Sequence, residues 1–250
     1  MILLNSLKYF FRPISISFNE SEKKIVNEIQ KNGFFMIENF FDKNLCKEII
    51  NKIDLLLNDE NIKIHRPSAS DERIFGSEKL DRNIMRFHED ETINKVLISY
   101  EKSNEVNSLT LASKLSYKKG NLGSGEGWHR DRVDKIQSKA ILYLNDVEPE
   151  GGTFQYLKGS HKLKNVFLDN IKIKKNLTDT RFSCDEVDIL VKKKYKKIQN
   201  FSSKAGSIVF FDSRGIHRGS PISKNFSRYA LTLYTWFNQD IPFHIKENSN

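Results

Sequence analysis

Cysteine is scarce in this chain: two residues in 250, Cys46 and Cys184, far apart in sequence. That excludes a disulfide framework and fits a reducing compartment. No run approaches the roughly 20 apolar residues of a membrane span. The apolar opening, residues 1–11, lacks the basic start and small-residue cleavage site of a signal peptide, so a cytoplasmic location is expected. Residues 1–17 are expected to dock on the body of the protein, with a weak membrane-surface or partner contact as the alternative. Zinc-finger spacing is missing, and so is a compact arginine-rich arm; nucleic acid is not an expected partner. There is no internal repeat.

What is present is an ordinary globular composition, 38% hydrophobic and 29% charged. A single domain over 18–240 with a tail at 241–250 is expected. The formal net charge of +9 comes mostly from scattered lysines and points to an anionic small-molecule substrate or an acidic surface partner. Helical signals come first. Asn19 precedes a helix closed by Gly33, and Asp42 caps another running to about Leu57. Between them, residues 34–41 form a short buried strand. Residues 59–85 are polar and irregular, a loop over the site mouth, and one helix is expected over about 86–99. From residue 107 onward the pattern turns to short β runs: 108–117, 140–144, 153–157, 207–211 and 228–237. Residues 162–204 are a lysine-rich insertion and a possible lid. Helices followed by strands argue for a mainly β fold with flanking α-helices, a sandwich or barrel of which the jelly roll is one closure.

The chemistry gathers around Gly127-Trp128-His129-Arg130-Asp131. On a strand or at its end, His129 and Asp131 are two apart and share a face. An imidazole and a carboxylate converging there are two members of the triad that holds non-haem Fe(II). The third must come from a distant strand. Two stretches compete for it, Gly159-Ser160-His161 and Gly215-Ile216-His217-Arg218-Gly219. Three protein ligands leave positions free, whereas four would close the site as in structural zinc.

The pieces that lift this above a chance match are Trp128-His129-Arg130-Asp131, the turn from Asn145-Asp146 to Gly151-Gly152, Leu157-Lys158-Gly159-Ser160-His161-Lys162, and residues 211–219, followed by Arg228 eleven residues after His217. In this order, and over roughly residues 20–238, they resemble the phytanoyl-CoA dioxygenase-like Fe(II)/2-oxoglutarate-dependent oxygenases. The resemblance implies a double-stranded β-helix (jelly roll, cupin-like). It implies His129, Asp131 and His217 as ligands of Fe(II), and His161 as a structural residue. 2-Oxoglutarate would chelate the iron, with its far carboxylate on Arg228, a bidentate cation that stays charged when buried. Ser220 would add a hydroxyl. Lys114 and Ser116 would touch the co-substrate from the strand ahead of the site, Ser116 and Ala112 standing where related ectoine hydroxylases carry polar groups.

With O2, such an enzyme converts 2-oxoglutarate to succinate and CO2 and hydroxylates a C–H bond. Asp131 argues against halogenation, because iron halogenases of similar fold put a small residue there. Desaturation, epimerisation or cyclisation are the enzymatic alternatives, and a non-catalytic jelly-roll binding protein is the alternative of another class. Substrate contacts are expected from Trp128, Arg130, Arg218 and His65, with Arg132 and Arg214 near the mouth. His88 and His244 are expected to be packing or surface residues, and the lysine run 192–197 a solvated face.

Overall fold

Asn19 caps the first helix through its side-chain oxygen, which accepts from the Glu22 N–H at 2.8 Å, while the Glu22 carboxylate accepts from the Asn19 N–H at 2.9 Å. This reciprocal box satisfies two donors that a helix start leaves free. The computed structural model describes residues 19–103, 106–192, 196–237 and 239–250. The expected docking of residues 1–17 and part of the lysine run, 193–195, lie outside them. Helix α1 (Glu20–Asn32) stops at Gly33, whose φ of +97° only glycine adopts without strain. A Cβ at Gly33 would also lie 2.6 Å from the Tyr156 ring and 2.7 Å from His161 Nδ1. Gly33→Ala is therefore expected to cost more than about 1 kcal/mol, read as a lower urea midpoint at unchanged slope.

Strand β1 (Phe34–Ile37) is shorter than the expected 34–41, because Phe40 and Phe41 leave the sheet to pack on the helices. Helix α2 (Lys43–Leu57) begins at Asp42, whose carboxylate accepts from the N–H groups of Asn44 and Leu45, and it buries Cys46, Ile49, Ile53 and Leu56. The expected loop at 59–85 instead forms a hairpin, β2 (His65–Ser68) and β3 (Asp71–Phe75), a 3₁₀ turn, and helix α3 (Arg82–His88). Its polar sequence hides a sheet-edge strand, where Pro67 forfeits no ladder bond. The single helix expected at 86–99 is two, because Asp90 caps a separate helix α4 (Glu91–Glu101) by accepting from the Ile93 N–H.

The remaining elements are β4 (Val106–Ser116), β5 (Trp128–His129), β6 (Ser138–Tyr143), β7 (Phe154–Leu157), α5 (Leu163–Lys172), β8 (Arg181–Phe182), α6 (Cys184–Lys192), β9 (Ile198–Asn200), β10 (Ile208–Asp212), β11 (His217–Gly219), β12 (Ser227–Phe237) and α7 (Phe243–Glu247). They build a seven-stranded sheet, β1-β10-β6-β12-β4-β3-β2, and a five-stranded sheet, β8-β5-β11-β7-β9. Ladder pairing within both is antiparallel. Residues 162–204 are part of the sheet framework, since β8 and β9 form the two edges of the smaller sheet.

The larger sheet separates two environments, and its period-two pleat decides which residue meets which. On β12, Tyr229, Leu231 and Leu233 join Ala112, Ala140, Leu142, Ile208 and Phe210 under the helices. The alternate residues Arg228, Ala230, Thr232, Tyr234 and Trp236 face a cavity between the sheets. Beside that cavity, Tyr143, Phe154, Tyr156, Val209 and Phe211 pack the two sheets together.

Candidate metal and co-substrate centre

The two short strands that matter most are neighbours. β5 and β11 run antiparallel with His129 directly opposite His217, and their ring centroids lie 4.3 Å apart. Asp131 follows β5 by two residues, held by its N–H donating to the Ser213 carbonyl at 3.0 Å. Its Oδ1 lies 3.6 Å from His129 Nε2 and 4.0 Å from His217 Nε2. Such separations suit an ion about 2 Å from each donor. Among the described residues, no other group of His, Cys, Asp and Glu offers three ligand atoms within 4.8 Å of one another.

The ring tautomers are set by the turns that carry them. His129 Nδ1 lies 2.9 Å from the Gly127 carbonyl, and His217 Nδ1 lies 2.8 Å from the Gly215 carbonyl. A carbonyl only accepts, so each Nδ1 holds the proton and each Nε2 lone pair faces the gap. Burial, and then the neighbouring His129, push the His217 pKa down to about 3. Burial alone would raise Asp131, but its surroundings, the Lys139 ammonium foremost, outweigh that and hold the carboxyl well below its usual range. A neutral His217 imidazole and the Asp131 carboxylate are therefore ready as donors at neutral pH, with His129 Nε2 turned to the same gap. Their chemistry, two nitrogens and one oxygen with an open face, fits Fe(II).

Gly125 lies against this cluster with φ +81°, and a Cβ there would sit 2.3 Å from His129 Cε1. Gly125→Ala should displace that imidazole and weaken Mn(II) binding by about tenfold or more in an EPR titration. Wild-type affinity would disprove the contact.

Deeper in the cavity Arg228 is 6% exposed. It donates through Nη1 to the Gly152 carbonyl, and among the described residues its Nε has no partner. The nearby Asp71 is itself paired with Arg73 at 2.6 Å. Burial presses the guanidinium pKa below its ordinary value, Tyr143 and Asp71 opposing it. The Oγ of buried Ser220 is likewise unpartnered. A buried cation on the cavity wall with an orphaned Nε is what a carboxylate would satisfy. Gly219 lets this happen at close quarters, because a Cβ there would come 3.2 Å from Arg228 Nη1.

The cavity encloses about 710 Å³. His65 lines it beside Phe75. Several other expected residues serve elsewhere. Lys114 sits on the opposite pleat of β4, where its ammonium pairs with Asp54 of α2 at 2.8 Å; Ser116 shares that phase. The cavity-facing residues of β4 are Leu111 and Ser113. Trp128 is buried with Leu157, Phe182 and Ile216, and Arg218 stacks on its ring while donating to Gln155. Arg130 borders the cavity, but its guanidinium is spent on the Ser160 and Arg214 carbonyls and on Asp169. Arg214 is locked to Asp212, whose other contact is the Tyr100 hydroxyl at 2.6 Å. His161 lies 3.1 Å from the Gln30 carbonyl and away from the cluster, and Lys196 is buried against Asp169.

Lys139, Arg73, Thr232 and Tyr234 line the cavity without having been singled out. A strand phase could have found the last two, because counting by two from Arg228 reaches both. The C-terminal residues are also wall: Pro242, His244, Ile245 and Asn248 line the cavity, and Asn250 is tied by its N–H to the Phe75 carbonyl at 3.0 Å.

Residues 29–230 match the phytanoyl-CoA dioxygenase (PhyH) family. The chain belongs to it. As a PhyH-family protein it is an enzyme of the Fe(II)/2-oxoglutarate-dependent oxygenase type. Among solved structures it is similar to the epimerase SnoN in complex with Fe3+, alpha-ketoglutarate and nogalamycin RO, with TM-score 0.66 and 13% identity over 87% of this chain and 84% of that one. It is also similar to the carbocyclase SnoK from nogalamycin biosynthesis, with TM-score 0.60 and 14% identity over 88% and 84%. HygX from Streptomyces hygroscopicus, with nickel and 2-oxoglutarate bound, gives TM-score 0.58 and 13% identity over 89% and 88%. At these identities the likeness concerns the jelly-roll fold. No curated protein sequence matches the chain.

Proposed function

We propose that this PhyH-family member hydroxylates a C–H bond of a small molecule, consuming O2 and 2-oxoglutarate and releasing succinate and CO2. The observation that carries the reading is the meeting of His129, Asp131 and His217 beside a buried Arg228 that lacks an anion. A binding module has no use for all four. Fe(II) bound by the triad would supply the activation of O2 that drives oxidation of the substrate. The protein's own groups do the rest. The two Nδ1–H bonds fix the imidazoles, Arg228 takes the far carboxylate of 2-oxoglutarate, and Leu111, Ile141, Phe154 and Phe211 give the cavity an apolar wall.

A cavity of about 710 Å³ suits a small molecule rather than a polymer. An acidic group on that molecule is favoured by Arg181, a wall residue that donates to the Gly125 carbonyl and has no acid beside it among the described residues. Arg73 and Arg132 are already paired, with Asp71 and Asp134. Epimerisation or ring closure is the second reading, favoured by the fold shared with SnoN and SnoK; product analysis once a substrate is found separates them.

The first test needs no substrate. Anaerobic addition of Fe(II) and 2-oxoglutarate should give a visible charge-transfer band, and in air the protein should slowly release succinate. A protein that yields neither is not an oxygenase.

A further inference from the structure

One charged side chain in the cavity takes no part in the scheme above. Lys139 lies on β6, the strand between β10 and β12, with Phe211 and Tyr234 as its register partners. Its backbone is thus gripped on both sides. Its side chain is 6% exposed, and its ammonium rests 3.8 Å from the centre of the Tyr234 ring. The same ammonium lies 2.7 Å from Oδ2 of Asp131. The other oxygen, Oδ1, is the one that faces both histidine Nε2 atoms. The two oxygens of one carboxylate are therefore divided between a fixed lysine and the metal position.

We propose that Lys139 is a positioning residue that keeps Asp131 a one-oxygen ligand. The proposal rests on the oxygenase reading given above. A carboxylate binds a metal through one oxygen or two, and the choice is set by what else holds it. With Oδ2 engaged by the ammonium, Asp131 fills a single position, and three remain for 2-oxoglutarate, which needs two, and for O2. With Oδ2 released, the carboxylate chelates and takes one of those three. Lys139 does not strengthen metal binding; as a cation beside a divalent ion it opposes it. What it secures is room for the co-substrate.

This gives a signature that loss of structure does not share. Lys139→Met should bind Mn(II) as tightly as wild type or more so in an EPR titration. Its affinity for 2-oxoglutarate, followed anaerobically by the charge-transfer band of the Fe(II) protein, should fall about tenfold or more. The structure of the Mn(II)-loaded variant should show both Asp131 oxygens on the metal. Lys139→Arg, which keeps a cationic donor, should fall between the two proteins. If Lys139→Met does not fold, Lys139→Gln carries the same expectations in a side chain of similar length. The role is overturned by unchanged 2-oxoglutarate affinity, by metal and co-substrate affinities falling together, or by an Asp131 that stays on one oxygen. Wild-type protein that binds Mn(II) yet gives no 2-oxoglutarate band would defeat the oxygenase reading, and this role with it.

Discussion

Asp131→Ala should abolish iron retention. The substitution removes the one anionic member of the triad and leaves two imidazoles, with the Lys139 ammonium beside the vacated position. Outer partners of metal ligands already cost 10–100-fold in affinity when removed, so loss of a ligand should exceed about a hundredfold. Mn(II) titration by EPR reads this directly, and succinate release in air should fall to background. Stability should suffer less than for a sealed pair, where removing one partner costs about 3–5 kcal/mol, because the Asp131 side chain is 23% exposed to the cavity. A variant with wild-type Mn(II) affinity would remove Asp131 from the ligand set.

Arg228→Met should separate function from stability. The guanidinium is desolvated, is held by one carbonyl, and has an unpartnered Nε. A charge so placed is a burden on the protein without co-substrate. Replacing it by an apolar chain of similar reach should leave the stability of the free protein within about 1 kcal/mol of wild type, or raise it. The affinity for 2-oxoglutarate should nonetheless drop by about 10²–10⁴, the equivalent of the roughly 3–5 kcal/mol lost when one partner of a buried ion pair is removed. Arg228→Lys should recover part of this, since ammonium meets a carboxylate as a point charge and not as a fork. Calorimetric titration with 2-oxoglutarate and thermal unfolding of the free protein are the two measurements. Unchanged co-substrate affinity would leave Arg228 without this role.

The ligand cluster could be seen in the sequence because its chemistry is local: a two-residue spacing puts His129 and Asp131 together, and the glycines around His217 mark a second tight turn. Helix boundaries were legible where a cap wrote them, at Asn19, Gly33 and Asp42. What did not show was strand phase. Lys114 and Ser116 were placed on the co-substrate side, but the register of β4 against β12 puts Ser113 there, and nothing within the segment 108–117 tells one face from the other when both are buried. The 65–75 hairpin was hidden because a polar edge strand lacks the apolar alternation that signals a strand. Trp128 and Arg218 sat beside the ligands in sequence, and that same adjacency sends them to the far side of the smaller sheet. Lys139 was passed over because a lysine at a strand start reads as solvated unless its anion, Asp131, is known to be within reach.

The division of β12 into one row under the helices and one row around the cavity has an evolutionary side. Ala230 and Thr232 can be exchanged singly to reshape the cavity while Leu231 and Leu233 go on anchoring the helical layer. Lineages can drift in substrate by point substitution here, but not by insertion or deletion. Dropping one residue at the start of this strand would swap the rows, thrusting leucines into the cavity and turning Arg228 toward the isoleucines under the helices.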